Sequence, residues 1–433
     1  MATLFLILIY LTFISLGLPD ALLGAAWPVM RLDLGMPLDG AGMIFIIISG
    51  GTIISSFCSG WVVGRFGTGK VTTFSVLFTA AALLGSSFGH TVWWFMLLAV
   101  PLGLGAGSVD AALNNYVATH YKAHHMSWLH CFWGVGAFIG PIIIGARLRQ
   151  DNNWRGAYLS LGLMQAAISV ILFIALPMWK KAGANAEAKG GDAGTAGKTE
   201  NSNDAKSDTA GANTGNKNVS AAETASGNIL VNSKSILRIP GVWQALLTFF
   251  LYCSCEYTVG LWGASFLSEM RGFEKPAAAS AVSLYYAGIT IGRFFSGLLN
   301  MRFKGQQLIR GGLCIILLGG ILFLLPLPAF ISLPALLLIG LGCSPVFPNM
   351  IQLTPERFGA ENSQKIIGWQ MGCAYTGITV VPPLLGIMAA HISMLVVPAA
   401  ILCYVALMLF LSERINVKCR ASAKLTEFCK KLS

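Results

Sequence analysis

Apolar runs of about 20 residues recur along most of this chain, and this feature constrains the fold more than any other. A helical run of that length spans the hydrocarbon core of a lipid bilayer. Only 11% of the 433 residues are charged, whereas a soluble domain carries about 25%. That deficit leaves too few charges for a water-exposed surface. The sequence therefore predicts an all-α membrane protein.

The breaks between the apolar runs predict twelve transmembrane helices, six on each side of a long polar segment. The first run carries an acid and has no basic segment before it, so we interpret it as a helix and not as a cleaved signal peptide. The first six helices are predicted at 3–30, 40–63, 71–89, 91–120, 127–148 and 155–179. The last six are predicted at 241–267, 276–300, 309–326, 329–351, 364–390 and 392–412.

The polar segment at 182–228 has almost no large apolar side chain. It cannot bury enough surface to offset its chain entropy, so it is predicted to be disordered. The tail, which mixes lysines with a few apolar residues, fits either a short helix on the inner leaflet or a solvated extension. The predicted domains are an N-terminal half at 1–181, a cytoplasmic linker at 182–237, a C-terminal half at 238–412 and a basic cytoplasmic tail at 413–433.

The net charge of +11 would fit nucleic-acid binding in a soluble protein, but here the basic residues lie between the apolar runs. If both termini and the linker are cytoplasmic, 22 of the 29 Lys and Arg residues fall on the inner side and six on the outer side. The positive-inside rule therefore predicts a multi-pass protein of the cell inner membrane in that orientation, with no nucleic-acid partner. The ten cysteines form no C-x-x-C pair, so neither a zinc site nor a disulfide framework is indicated.

The second half of the chain repeats the first. Residues 49–66 and 286–303 are identical at seven of eighteen aligned positions, including the Arg-Phe pair that ends each segment. Nearly the same offset places Asp20 opposite Glu256, and chance likeness between apolar helices does not readily explain an acid opposite an acid. Two similar bundles around a central cavity are typical of carriers whose halves rock against each other. Further pairs at nearly this offset are Gly24 with Gly260 and Asn114 with Asn349.

Residues 60–70 resemble the loop signature G-x-x-x-D-R-x-G-R-[RK]-x of the major facilitator superfamily, with Gly64 in place of the usual acid. Three further patches resemble the fucose permease branch, which includes sugar–proton symporters and sodium–glucose carriers. They are LPDALL at 18–23, DAALNNY at 110–116 and LHCFWGVGAF at 129–138. The resemblance implies the major facilitator fold of two pseudo-symmetric six-helix halves. It also implies that acids of the first two patches couple protons to sugar, and that His130 replaces a sugar-contacting amide, as in the sodium–glucose carriers.

Only three of the eighteen acids lie well inside the predicted spans, and these are Asp20, Asp110 and Glu256. An ionised side chain at the bilayer centre costs about 3 kcal/mol on insertion scales, so such an acid is expected to face a cavity or to have a partner. Loss of water favours the neutral form of a carboxyl group, which lets it carry a proton. All three are predicted to couple proton flow to transport. The alternative is a structural ion pair with Arg293 or a hydrogen bond that locks two helices together.

Polar and aromatic residues within the spans are the candidates for binding substrate. Asp110 and Asn114 lie four residues apart on one helix face, and carboxylate and amide groups suit sugar hydroxyls. Tryptophan rings are candidates for stacking on a sugar, although tryptophan also packs in cores and lies at membrane interfaces. Asn side chains also bridge helices, and a lone His often only packs. The predicted substrate-binding residues are Asn114, Asn115, His130, Trp27, Trp133, Trp262, Asn349, Gln352 and Gln370.

A third set of residues is predicted to act in gating or in the structure of the scaffold. Most of them belong to the loop signature or to its repeat in the second half. Arg293 is the one base well inside a predicted span, where it either pairs with an acid or extends toward the inner surface. The set is Gly60, Arg65, Gly67, Arg293, Gly297 and Arg302.

These features favour a secondary active symporter that imports a monosaccharide or related polyol by alternating access. The coupling ion is expected to be a proton or sodium, with no other cofactor and no metal, and the protein is expected to be a monomer in the bilayer. The phosphate-binding motif G-x-x-x-x-G-K-[ST] does not occur and no catalytic constellation is evident, so an enzyme is not predicted. Two alternatives remain open: a drug or metabolite exporter of the same fold, and a non-transporting membrane sensor on a carrier scaffold.

Overall fold

A computed structural model describes residues 2–121, 123–179 and 237–432. Within these ranges the chain is helical and contains no β-strand. The predicted disordered linker falls outside the described residues, apart from its last position.

The first half consists of α1 (Ala2–Gly17), α2 (Leu22–Asp33), α3 (Gly40–Phe66), α4 (Thr68–Ser87), α5 (Val92–His120), α6 (Ala123–Leu148) and α7 (Trp154–Ile174). The second half begins with α8 (Val242–Met270), α9 (Lys275–Leu299) and α10 (Gly305–Leu324). It continues with a 3₁₀ turn at Ala329–Ile331 and with α11 (Ser332–Cys343), α12 (Val346–Gln352), α13 (Thr354–Phe358), α14 (Ala360–His391) and α15 (Val396–Leu432).

Eleven segments of the described chain are long and apolar enough to cross a bilayer, and they match eleven of the twelve predicted spans. The remaining span, α9, has the required length but is less apolar because it carries two tyrosines and Arg293. The prediction of an all-α membrane protein with two six-span halves is confirmed.

Three helix boundaries differ from the predictions. The first span is broken between α1 and α2, because Pro19 has no N–H to donate and its ring clashes with the preceding turn. The tenth span is divided in the same way around Pro345. The last helix was predicted to end at 412 before a separate tail, but α15 continues to Leu432.

The two halves meet where their repeated elements cross. A Cβ on Gly24 of α2 would collide with the carbonyl oxygen of Gly260 on α8, so the two glycines that the repeat pairs in sequence lie against each other. Further from this crossing, Arg31 at the end of α2 forms a 2.7 Å ion pair with Glu269 near the end of α8. Small residues at the crossing allow the backbones to approach closely, as is common between membrane helices.

A second contact between the halves is made by α6 and α9, which run antiparallel. A Cβ on Gly134 would collide with Thr290, and one on Gly145 would collide with Ser280. Since the residue numbers rise on one helix as they fall on the other, the two helices lie side by side for much of their length. This contact brings Trp133 of α6 next to Arg293 of α9.

Candidate functional site

Asp20 lies in the break between α1 and α2, near the middle of the first span. The indole Nε1 of Trp133 donates a 2.6 Å hydrogen bond to its Oδ2. Although it is in the middle of a membrane span, the Asp20 side chain is exposed. It also lies close to Tyr257 and Tyr286 of the second half, so the space it faces is between the two halves and not the lipid.

The acid that the repeat places opposite Asp20 has a different environment. Oε1 of Glu256 on α8 lies 3.5 Å from Nη2 of Arg293, so the two form an ion pair. The Glu256 side chain is 11% exposed and the Arg293 side chain is 17% exposed. The guanidinium carbon of Arg293 also lies 4.8 Å from the centroid of the Trp133 ring, which is a cation–π contact. Of the two alternatives for Arg293, pairing with an acid is the one the structure contains.

These four residues form a connected set that we call the midspan charge cluster: Asp20, Trp133, Arg293 and Glu256. Two belong to the first half and two to the second, and Trp133 contacts a member of each half. The cluster joins α6, α8, α9 and the α1–α2 break. Asp20 is close enough to Asp110 and Glu256 for the three carboxylates to interact electrostatically.

A second polar group lies on α5. Nδ2 of Asn114 donates a 2.9 Å hydrogen bond to Oδ1 of Asp110 across one helical turn, as the four-residue spacing predicts. Asn115 is exposed, while Asp110 and Asn114 are half-buried. Oδ1 of Asn114 is buried and has no hydrogen-bond partner among the described residues. Tyr375 of α14 lies near Asp110, so this polar face is also turned toward the other half.

His130 lies one helical turn before Gly134 on α6, and its ring packs edge-on against Phe13 with centroids 5.9 Å apart. It is half-buried and close enough to Arg293 to interact with its charge. The position fits the predicted contact with the central space. Among the described residues, no group of three or more His, Cys, Asp and Glu side chains could hold a metal ion.

Two of the tryptophans that we predicted to stack on substrate are fully buried. The indole of Trp27 donates a 2.7 Å hydrogen bond to the carbonyl oxygen of Leu38, and that of Trp262 donates an equally short one to Pro382. Both rings fill contacts between helices, because Gly40 and Gly386 approach them too closely to tolerate a Cβ without a shift. The structure therefore places them in helix packing and not on the wall of the central space.

Three other predicted binding residues belong to the second half and lie away from the midspan charge cluster. Asn349 is buried and donates a 2.7 Å hydrogen bond to the carbonyl oxygen of Pro345. Gln370 is buried and accepts a 3.2 Å hydrogen bond from Thr354. Gln352 is exposed at the end of α12. The structure does not bring these three into the midspan charge cluster.

The residues predicted for gating lie mostly at the ends of α3 and α9. Gly67 ends α3 with φ 81°, a backbone conformation that glycine adopts without strain. Arg65 is exposed with its guanidinium 5.8 Å from the ring of Trp61, and Arg302 is exposed as well. A Cβ on Gly60 or Gly297 would meet no described atom within 4 Å. Their role in gating stays a prediction.

Three tyrosines around the site were not among the predicted site residues. Tyr257 and Tyr286 lie close to both Asp20 and Glu256, and the hydroxyl of Tyr285 donates a 3.0 Å hydrogen bond to the carbonyl oxygen of Glu256. A signal was present, because Tyr257 follows Glu256 directly and the other two are adjacent within one span. Phenols within spans are polar groups, and like the amides they are candidates for contact with substrate.

Two helical bundles with charged side chains between them are the architecture of secondary transporters. The chain belongs to the Major Facilitator Superfamily, whose characteristic sequence pattern matches residues 9–382. The narrower resemblance to the fucose permease branch stays a prediction.

Several relatives are similar to this chain at low identity. The "Bypass of stop codon protein 6" of Saccharomyces cerevisiae is 22% identical, over 93% of this chain and 80% of its own length. The "Cis,cis-muconate transport protein" of Acinetobacter baylyi is 26% identical, over 32% of this chain and 34% of its own. The "Sodium-dependent glucose transporter 1" of Danio rerio is 23% identical, over 37% of this chain and 28% of its own.

Two solved structures share the fold. The nucleoside transporter NupG superposes with a TM-score of 0.70 at 10% identity, over 94% of this chain and 98% of that chain. The peptide transporter POT superposes with a TM-score of 0.67 at 14% identity, over 94% of each chain. At these identities the likeness shows the architecture alone. Membership of the superfamily is what identifies the chain as a transporter and not an enzyme.

Proposed function

We propose that the chain is a secondary active symporter that imports a monosaccharide or related polyol together with protons. The observation that carries this proposal is the environment of Asp20: a carboxyl group in the middle of a span, exposed between the two halves. Among the described residues, the one side chain that donates a hydrogen bond to it is the indole N–H of Trp133. Such a group can gain and lose a proton without breaking an ion pair. Sodium as the coupling ion is the alternative, and the similarity to a sodium-dependent glucose transporter of Danio rerio gives a reason to test it.

Coupling follows from the cost of burying charge. When Asp20 is ionised, closing the halves around it would transfer a carboxylate with no cation partner out of water, at a cost of about 3 kcal/mol or more. Protonation removes that charge and makes closure less costly. A bound proton therefore permits the rocking motion that carries the site from one side of the membrane to the other.

The polar face of α5 supports a polyhydroxylated substrate. Asp110 and Asn114 present acceptors and donors about one turn apart, Oδ1 of Asn114 is unused by described residues, and Asn115 is exposed beside them. Sugar hydroxyls both donate and accept hydrogen bonds, so this mixture matches them. A drug exporter is expected to have a central cavity lined mainly by apolar and aromatic side chains. We further propose that the protein is a monomer in the cell inner membrane with both termini and the linker in the cytoplasm.

The test is uptake by proteoliposomes with an imposed pH gradient, using radiolabelled L-fucose and D-glucose as probes. We expect concentrative uptake of at least one of them, lost in both Asp20→Asn and Asp110→Asn. Glu274→Gln, which alters an exposed acid outside the spans, is the matched control and should transport normally. Wild-type uptake in both aspartate variants would refute proton coupling at these acids. Flux driven out of the vesicles by the same gradient would favour the exporter, and ligand binding without flux would favour the sensor.

A further inference from the structure

The Trp133 side chain has two different polar contacts, one to each half of the transporter. Its N–H donates to the Asp20 carboxylate at 2.6 Å, and its ring face lies against the Arg293 guanidinium. Trp27 and Trp262, by contrast, donate to backbone carbonyl oxygens, which cannot change their charge. Trp133 therefore differs from these two buried tryptophans in being bonded to a group whose charge can change.

The hydrogen bond to Asp20 depends on the protonation state of that residue. An N–H that donates to a carboxylate forms a charge-assisted bond, which is roughly twice as strong as the bond to a neutral acceptor. When Asp20 binds a proton, the hydrogen bond that holds the indole in its present orientation becomes weaker. Proton binding in the first half therefore loosens Trp133.

The second contact of Trp133 leads to an ion pair that is not fully closed. Arg293 and Glu256 are 3.5 Å apart, whereas a closed charge-assisted pair has a separation of about 2.7–2.9 Å. The guanidinium is shared between the ring of Trp133 and the carboxylate of Glu256. If the ring moves, Arg293 loses its cation–π partner and is free to close on Glu256.

We propose that Trp133 is a positioning residue that transmits the protonation state of Asp20 to the Arg293–Glu256 pair. Proton binding in the first half thereby changes the packing of α9 and α8 in the second. The inference rests on the proposed function, because it takes Asp20 as the proton-binding residue. Other charged or titratable groups face this cluster and contribute to its electrostatics: Asp110 of α5, Tyr257 of α8, Tyr286 of α9, and His130 and Cys131 of α6.

The experiment is hydrogen–deuterium exchange of the purified full-length protein at acid and alkaline pH, corrected for the intrinsic pH dependence of exchange. The measured quantity is the change in protection of peptides from α9. We expect a change on acidification in the wild type and none in Asp20→Asn. Trp133→Phe keeps an aromatic ring beside Arg293 but removes the N–H, and we expect it to lose the response as well.

The matched control is Trp27→Phe, which removes a buried indole hydrogen bond of similar length in the same half without touching an acid. It should keep the response of the wild type. Arg293→Lys tests the same connection from the other side if Trp133→Phe does not fold, because lysine keeps the charge but has no flat guanidinium to lie on the ring. We expect it to reduce the response at least by half.

The outcomes separate the two proposals. A wild-type response in Trp133→Phe overturns the role of Trp133. If that variant does not fold, a wild-type response in Arg293→Lys does the same. In either case, loss of the response in Asp20→Asn would still support proton binding at Asp20. A response that persists in Asp20→Asn overturns both, since the signal would then arise from another group.

Discussion

Asp20 and Glu256 occupy equivalent places in the two repeated halves, yet their surroundings differ in three ways. Asp20 lies at a helix break, is exposed and has no cation partner among the described residues, whereas Glu256 lies within an unbroken helix, is nearly buried and pairs with Arg293. One acid can change its charge without breaking an ion pair, and the other cannot. A repeated sequence position therefore does not imply a repeated role.

The difference begins with one residue. Asp20 follows Pro19, while the residue before Glu256 is Cys255. The proline interrupts the backbone hydrogen bonds of the first span, so the chain turns at Asp20. Cysteine leaves the corresponding helix of the second half continuous. We therefore propose that the acid of the first half binds the proton and that the acid of the second half belongs to a structural charge pair.

The largest expected effect comes from neutralising the exposed acid. Asp20→Asn should reduce uptake driven by a pH gradient by at least tenfold, which corresponds to about 1.4 kcal/mol or more. The reason is that an amide cannot carry the proton, although it can occupy the same space. Exchange of labelled for unlabelled substrate, which needs no net proton movement, should survive. Loss of exchange along with net uptake would show that the residue binds substrate and not only the proton.

The two glycines at the crossing of the halves should also differ. A Cβ on Gly24 meets backbone atoms of Gly260 and Leu261, whereas a Cβ on Gly260 meets the hydroxyl of Tyr286, which is the end of a side chain and can move. Gly24→Ala should therefore destabilise the protein by about 1–3 kcal/mol, as overpacking does, and Gly260→Ala by clearly less. Thermal unfolding in detergent measures both. Equal losses would mean that α2 shifts as easily as the tyrosine does.

The ion pair of the second half should show stronger energetic coupling than Asp20 shows with Arg293. In a double-mutant cycle, Glu256→Gln and Arg293→Gln should be coupled by about 0.5–3 kcal/mol of stability, since each single change leaves a nearly buried partner without its counter-charge. Asp20→Asn combined with Arg293→Gln should give a smaller coupling, because Trp133 lies between these two side chains, which form no ion pair with each other in the described part of the chain. A larger coupling energy for Asp20 and Arg293 than for Glu256 and Arg293 would contradict the interpretation of Glu256 and Arg293 as the structural pair.

The smallest effect on stability is expected at the ends of α2 and α8, where the two halves are joined by an ion pair. The pair Arg31–Glu269 is 24% and 30% exposed, so water weakens it. Breaking it with Glu269→Gln should cost about 0.2–1 kcal/mol, and less at high salt. Melting temperatures at low and high ionic strength provide the measurement. A loss larger than that of Gly24→Ala would mean that the ion pair, and not helix packing, holds the halves together.

Much of the architecture could be predicted from the sequence because the bilayer imposes length and apolarity on every span. The repeat also predicted that Gly24 and Gly260 are equivalent, and the structure brings them into contact. The α1–α2 break could have been predicted too, since Pro19 stands in the middle of the first span. What length and apolarity cannot specify is how each helix is rotated about its axis.

That rotation decides the composition of the site. Trp27, Trp133 and Trp262 have the same chemistry, but only Trp133 points between the halves, and its bond to Asp20 joins residues 113 positions apart. Neither hydropathy nor spacing distinguishes these three rings. Asp110 and Asn114 were easier to predict, because their contact lies within one helix and follows from a four-residue spacing.

The central claim is that Asp20, unlike its counterpart Glu256, gains and loses a proton during transport. Infrared difference spectroscopy of the reconstituted protein, recorded across the pH range in which uptake is proton-driven, tests it most directly. We expect a carboxyl band that appears on acidification in the wild type and in Glu256→Gln and is absent from Asp20→Asn. A band that persists in Asp20→Asn and disappears in Glu256→Gln would contradict it.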